Sequence, residues 1–289
     1  MAKTLKECLE EARDKKVAIG HFNISDITAL HAIFEVAREL NLPVIIGVSE
    51  GEREFIGVSQ VASLVRNLRE KYDYPIFLNA DHTYTVSGIK DAAEAGFDMV
   101  IFDGAKLSFE DNVAQTKAAV EMAKSINPNI LTEAEIGYIG TSSKLLDEIP
   151  AGALVDEKSF PTAEIAKDFI SKTGVDLLAP AVGNIHGMLR NAKEPALNIK
   201  RISEISSETG LPLVLHGGSG TSDEDFVSAI DAGMRIIHIN TEIRVAWRRG
   251  VELALQSDAN EVTPYKILQV AKSEIKKVIK SRLKLFNKI

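Results

Sequence analysis

The chain has 289 residues, 45% of them hydrophobic, with a formal charge of −7 and an isoelectric point near 5.5. That is enough apolar matter for a large core, and the acidic balance excludes a nucleic-acid backbone as the main partner, since that task wants a basic face. The single cysteine, Cys8, excludes an intramolecular disulfide or a cysteine-rich metal site. No apolar run approaches the roughly 20 residues of a membrane span, and the charged opening MAKTLKECLEEARDKK has no signal-peptide core, so no membrane partner and a cytoplasmic location are expected.

In chain order, eight short apolar runs read as strands: Val17–Asn23, Val44–Ser49, Ile76–Ala80, Met99–Phe102, Ile130–Ile136, Leu177–Val182, Leu213–His216 and Arg235–Asn240. They are hydrophobic at nearly every position, as strands buried on both faces of a parallel sheet are. Amphipathic segments separate them. In DITALHAIFEVAREL, for example, Ile27, Leu30, Phe34 and Ala37 fall on one stripe. A weak repeat runs through EAGFDMVIFDG, KTGVDLLAPAV, ETGLPLVLHGG and DAGMRIIHINT. Its glycines Gly96, Gly174, Gly210 and Gly233, and Asn41 in ELNLPVIIGVS, stand where a helix ends on a left-handed residue. Eight βα units in a chain of this length predict one (β/α)₈ TIM barrel over residues 1–289, with an extra helix at each end. An open doubly wound sheet is the alternative, and the GxGxxG fingerprint common there is absent.

In such a barrel the active site lies at the C-terminal ends of the strands, and polar residues gather there. Strand one ends in Asn23 and strand two in Ser49. Strand three runs into Asp81 and His82, strand four into Asp103, and strand five carries Glu133 and Glu135. GNIHG with His186 follows strand six, and His216 with GGSG closes strand seven. Strand eight bears His238, Asn240 and Thr241. His82, His186 and His216 follow three different strands and can therefore converge. Three imidazoles with an open position are the catalytic zinc pattern. Asp81 suits either a proton shuttle or a support for a ligand histidine. His31, on a helix, reads as a surface or packing residue, and His21, inside strand one, as a satisfied core residue. In LHGGSG and HINTE, Gly217, Gly218, Ser219, Asn240 and Thr241 form a candidate phosphate cradle after strands seven and eight. Ser222 also fits an ordinary N-cap of the next helix.

The motifs NADHT, TEAEIG, APAVGNIHG, LVLHGGSG and the early HFN resemble those of the class II, metal-dependent ketose-bisphosphate aldolases, from Gly20 to the C-terminal helix. The resemblance implies one catalytic Zn2+ on His82, His186 and His216, with Glu135 near an alternative metal position and a monovalent cation as an optional companion. It implies that Asp81 exchanges the proton of the ketose C4 hydroxyl. It places Gly187, Gly217, Ser219, Asn240 and Thr241 at the dihydroxyacetone-phosphate end, and Asn23 and Ser49 at further substrate positions. The reaction implied is reversible cleavage of a ketose bisphosphate, foremost fructose 1,6-bisphosphate, to dihydroxyacetone phosphate and glyceraldehyde 3-phosphate through a metal-stabilised enediolate. The partner is then a small phosphorylated ketose, and the family's habit implies a homodimer or homotetramer.

This chain departs from the pattern twice. Where the family carries loop glutamates, it reads IGTSSKLLDEIP, with Thr141, Ser142 and Ser143 at those places. His238 stands near the reacting carbons where the family often has Asn. Glu148, in the long segment after strand five, is our candidate for the missing acid, on the expectation that this segment is a mobile lid, and His238 is the competing donor. Other readings are a tagatose-bisphosphate aldolase, a metal-dependent sugar-phosphate epimerase or isomerase, and a non-catalytic sugar-phosphate-binding protein. A Schiff-base aldolase fits less well, since no lysine lies inside the predicted strands.

Overall fold

The computed structural model describes residues 3–141 and 143–289. All eight expected strands are present: β1 (Ile19–Asn23), β2 (Val44–Val48), β3 (Ile76–Thr83), β4 (Met99–Phe102), β5 (Leu131–Ile136), β7 (Leu177–Pro180), β9 (Leu213–Leu215) and β10 (Met234–Ile239). They pair in parallel and close into a barrel in the order β1-β10-β9-β7-β5-β4-β3-β2. Two further strands, β6 (Leu145–Leu146) and β8 (Met188–Leu189), pair with each other outside it. The helices are α1 (Leu5–Lys15), α2 (Ile27–Leu40), α3 (Glu50–Ile56), α4 (Val58–Tyr72), α5 (Val86–Ala95), α6 (Phe109–Ile126), α7 (Ala163–Thr173), α8 (Ile199–Thr209), α9 (Asp223–Ala232), α10 (Thr241–Ser257) and α11 (Pro264–Phe286). The architecture is the expected (β/α)₈ barrel with a helix added at each end.

Strand residues alternate between two cores, because successive side chains leave opposite faces. Phe22, Ile46, Leu78, Val100, Ala134, Leu178, Leu215 and Ile237 pack outward against the helices. Ile19, Ile45, Phe77, Met99, Leu131, Leu177, Val214 and Ile236 meet Leu5, Cys8, Leu9 and Ala12 of α1 in a second core. These inward residues lie near the strand N-termini, so α1 plugs that end of the barrel. It is fixed there by a capping box, Thr4 with Glu7. Farther along the same inward face the apolar residues give way to His21, Asn79, Glu133, His216 and His238, all buried.

Asn41, Gly96, Gly174, Gly210 and Gly233 all have positive φ at helix ends, as the repeat predicts. On α2, Leu30, Phe34 and Ala37 are buried, but Ile27 is 51% exposed. It is the first residue of the helix, and the buried face runs instead through Ala29, Ile33 and Val36. His31 is exposed, as expected.

Candidate active site

Strand β3 makes the site's first unusual turn. Its pairing with β4 slips between Ala80 and Thr83, and His82 sits within the slip at φ +42°. A bulge of this kind re-aims side chains, and a non-glycine residue in the left-handed region is strained. Arg53 of α3 supports it: buried, its guanidinium donates to Val48 O (2.5 Å), Asp81 O (3.0 Å) and Thr83 Oγ1 (2.9 Å). The loop that carries His186 is stapled in the same way. Asn184 accepts from Val182 N and donates to His216 O, each at 2.9 Å, and His186 N donates to Ile139 O.

These supports bring His82, His186, His216 and Glu135 together, one ligand atom from each lying within 4.8 Å of the others. Carboxylates orient two of the rings, as they do around ligand histidines. His82 Nδ1 pairs with Asp103 Oδ2 (2.9 Å), leaving Nε2 free for an ion. His216 Nε2 pairs with Glu133 Oε1 (2.7 Å), leaving Nδ1 to face the cluster, 3.2 Å from Glu135 Oε1. His186 Nε2 and Glu135 Oε1 are buried without a hydrogen-bond partner. His216 Nδ1 lies 3.3 Å from His82 Nε2. That is about the edge of a tetrahedron with metal–nitrogen bonds of roughly 2.0–2.1 Å. The donor set, its burial and its unpartnered atoms therefore fit a divalent ion such as zinc.

The charges of the cluster depend on one another. Burial works against a charged His82, yet Asp81 and the Asp103 hydrogen bond raise it well above the usual histidine range. Burial likewise opposes His216, and Glu135 and Glu133 overcome it. Burial holds His186 well below the usual range. Asp103 is drawn down to about 2 by its bond to His82, against the cost of burial. Glu135 is pushed up to about 8 by burial and by Asp103. A bound cation reverses that last effect, since it favours the carboxylate.

Asp81 lies beside the cluster, its Oδ1 3.8 Å from His82 Nε2. Its Oδ2 accepts from Asn23 Nδ2 (2.8 Å). Its Oδ1 has no hydrogen-bond partner and faces His238 Nδ1 at 3.4 Å. Burial opposes its charge, but His82 and His238 hold it well below the usual carboxylate range. A buried, ionised carboxylate with one uncommitted oxygen can take a proton. Asn23 Nδ2 also donates to Glu52 Oε2 (2.9 Å), and Arg244 of α10 joins Glu52 Oε1 (2.7 Å) to Ser143 O (3.0 Å).

The cleft above these groups is lined by Asn23, Asp81, His82, Ser143, His186, Gly187, Gly217, Ser219, His238, Asn240 and Thr241. On its phosphate-cradle side, α10 starts directly after β10, and no side chain caps it at Asn240. Ser219 Oγ accepts from Asn240 N (3.3 Å) and Glu242 N (3.4 Å). Gly217, at φ +61°, passes so close to Ile185 that an added Cβ would lie 2.3 Å from its carbonyl oxygen. The start of α10, which Asn240 does not cap with its own side chain and where Ser219 Oγ takes only the Asn240 and Glu242 amides, is a position suited to an anion. Ser222 also N-caps α9, as expected.

Ser49 and Glu148 lie apart from both the metal cluster and this cleft. Ser49 is the N-cap of α3, its N–H donating to Glu52 Oε2 (2.8 Å). Glu148 is exposed, on the segment that follows β6. That segment is tied to the His186 loop by the β6–β8 pair, by Met188 N to Lys144 O and by Arg190 N to Leu146 O. Ser142 lies outside the described residues. Sequence reasoning gave no role to Glu52, Arg53 or Arg244, which have no motif of their own. It placed Asp103 and Glu133 at strand ends without pairing them with His82 and His216, although their positions on neighbouring strands were the available signal.

The family model described as fructose-bisphosphate aldolase class-II matches residues 3–289. A fructose-bisphosphate aldolase of Staphylococcus aureus is 35% identical over 286 residues, covering 98% of this chain and 96% of that one. A probable fructose-bisphosphate aldolase of Bacillus subtilis is 33% identical with the same coverage. Among solved structures, the YdjI aldolase of Escherichia coli K12 superposes with a TM-score of 0.82 at 26% identity, covering 99% and 97% of the two chains. A fructose-bisphosphate aldolase of Campylobacter jejuni shares the fold, with a TM-score of 0.82 at 18% identity and coverage of 99% and 94%.

Proposed function

The chain belongs to the class II fructose-bisphosphate aldolase family, and from that premise we propose that it is a zinc-dependent aldolase, reversibly cleaving fructose 1,6-bisphosphate to dihydroxyacetone phosphate and glyceraldehyde 3-phosphate. The observation that carries this reading is the convergence of three histidines and Glu135 beside an ionised Asp81 at the barrel mouth. His82 Nε2, His186 Nε2 and His216 Nδ1 would hold the ion, with Glu135 as an alternative ligand. A zinc ion there supplies Lewis-acid polarisation of the substrate carbonyl, an effect worth several kcal/mol.

The protein's own groups do the rest. The start of α10, with Gly217 and Ser219, anchors the phosphate of the dihydroxyacetone half. Asn23 fixes one oxygen of Asp81, so the other faces the reacting end. Asp81 Oδ1 takes the C4 hydroxyl proton as the C3–C4 bond breaks. The electron pair of that bond passes to the three-carbon enediolate, C4 becomes the aldehyde carbon, and a proton delivered to C3 completes dihydroxyacetone phosphate. The expected homodimer or homotetramer has apolar surface to draw on, since Phe55, Val262 and Tyr265 are largely exposed.

The test is an assay of purified protein with fructose and tagatose 1,6-bisphosphates and their monophosphates, before and after chelation and with zinc restored. We expect two three-carbon products, loss of cleavage on chelation and recovery with zinc. Full cleavage after verified metal removal would overturn the metal assignment. An epimeric or isomeric six-carbon product would assign the site to an epimerase or isomerase.

A further inference from the structure

His21 lies in the barrel interior, outside the metal cluster and the cleft. It is fully buried on β1, and its register neighbour on β10 is His238. The two imidazoles stack face to face, with centroids 3.4 Å apart and planes 4° from parallel. Glycine makes the room: a Cβ at Gly47, on the adjoining strand β2, would lie 2.1 Å from His21 Cε1. Below the stack, Asn79 Nδ2 lies 3.1 Å from His21 Nε2. His21 Nδ1 and Asn79 Oδ1 remain buried without partners. Filling a barrel with apolar side chains would avoid those costs, so packing alone does not account for His21.

A second metal site does not account for it either. An imidazole nitrogen binds an ion in the plane of its ring. Two parallel rings stacked at this distance cannot both point at one ion with bonds of about 2.0–2.1 Å. What the stack does is hold His238 still. His238 Nδ1 faces Asp81 Oδ1 at 3.4 Å, and its Nε2 is buried and unpartnered in a residue that lines the cleft.

We propose that His21 is a positioning residue of the reaction: stacked in the space left by Gly47, it locks the His238 ring so that Nδ1 stays beside Asp81 and Nε2 is presented to a substrate hydroxyl. The proposal rests on the aldolase reading above. Asp81 then has Asn23 on one oxygen and His238 beside the other. A small rotation of His238 would misplace both the base and the substrate contact, and displacements of about 1 Å in such settings cost on the order of 10²-fold in rate.

Three single variants separate the ring from its hydrogen bond. His21→Gln keeps an acceptor for Asn79 and removes the ring. His21→Phe keeps a ring to stack and loses the acceptor. Gly47→Ala changes the identity of no site side chain and displaces His21. With zinc content confirmed for each, His21→Gln and Gly47→Ala should lower kcat about 10- to 100-fold. KM should stay within about threefold, and His21→Phe should retain most of kcat. The double variant His21→Gln/His238→Asn should be no slower than His238→Asn alone, because His21 acts through His238. An unchanged kcat in His21→Gln, or losses that multiply in the double variant, would overturn the proposal. If the zinc-loaded wild type cleaves none of the ketose phosphates, the aldolase reading fails, and the positioning role is read from ¹⁵N histidine spectra instead. His238 should then show one tautomer, protonated at Nδ1, in wild type and a mixture in Gly47→Ala. Identical spectra would reject the role independently of activity.

Discussion

Asp81 shows how much of the chemistry hangs on single atoms. Asn23 holds one of its oxygens, the other has no hydrogen-bond partner, and neighbouring histidines keep it ionised despite burial. Asp81→Asn keeps the shape and removes the base, so kcat for cleavage should fall by roughly 10²–10⁴ while zinc stays bound. Turnover within about threefold of wild type would reduce Asp81 to a support for His82. Exchange of the dihydroxyacetone-phosphate C3 proton with solvent reports the other half of the reaction. There His238→Asn should slow exchange, because His238 lines the cleft, whereas Glu148 is exposed on a tied-down segment. Slower exchange in Glu148→Gln would show instead that the segment swings inward during turnover. At this scale the convergence of His82, His186 and His216 beside Asp81 was legible because each stands at a strand end, where this fold builds its sites. The pairing of His82 with Asp103 and of His216 with Glu133 was not, since it depends on rotamers and on the stagger between strands. Nor was the role we propose for His21, because a buried histidine in a strand looks like core until its neighbour across the ladder is known.

Among the elements, the strands were legible from their unbroken apolar runs and the helix ends from Gly96, Gly174, Gly210 and Asn41. The bulge at His82 left no trace in the sequence, because its positive φ falls on a residue that carries no signal for that conformation. The segment after β5 reads by its length as a mobile lid. The structure ties it down instead, through the β6–β8 pair and Arg244, because Leu145–Leu146 finds a strand partner in Met188–Leu189, more than 40 residues away. Gly187 is the pivot of that arrangement. It has φ +105°, and an added Cβ would lie 2.6 Å from Leu146 Cδ1 and 2.8 Å from Lys144 O. Gly187→Ala therefore meets both strain and a clash with backbone. We expect a loss of about 1–3 kcal/mol in stability and faster hydrogen exchange at the Met188 and Arg190 amides, which donate across the pair. Unchanged exchange at those two amides would mean that the segment is held by Arg244 and its other contacts.

At the level of the whole molecule, a rigid barrel, plugged at one end by α1, leaves the other end free to carry the chemistry. The inward residues change from apolar to polar or ionisable along most strands, and that gradient is visible in β5 as Leu131, Glu133, Glu135. The closing helices were legible only as extra helices. Their docking depends on one glycine. Gly250, in the middle of α10, comes so close to α11 that an added Cβ would lie 2.3 Å from Ala271 Cα and 2.7 Å from its N. Two effects of Gly250→Ala oppose each other. Helix propensity favours alanine by about 1 kcal/mol. The clash is with backbone, which yields only if a whole helix moves, and overpacking of that kind costs about 1–3 kcal/mol. The clash should win, lowering Tm by up to several degrees. Gly51→Ala in α3 is the control, since nothing lies within 4 Å of its added Cβ; it should be neutral or stabilising by up to about 1 kcal/mol. Gly250 stands nine residues along α10 from Thr241, roughly 13 Å at the helical rise, so kcat should stay unchanged while Tm falls. A rise in Tm for Gly250→Ala would show that α11 can step back without loss. A fall in kcat at unchanged Tm would show that the crossing of α10 and α11 sets the geometry of the phosphate cradle at the other end of α10.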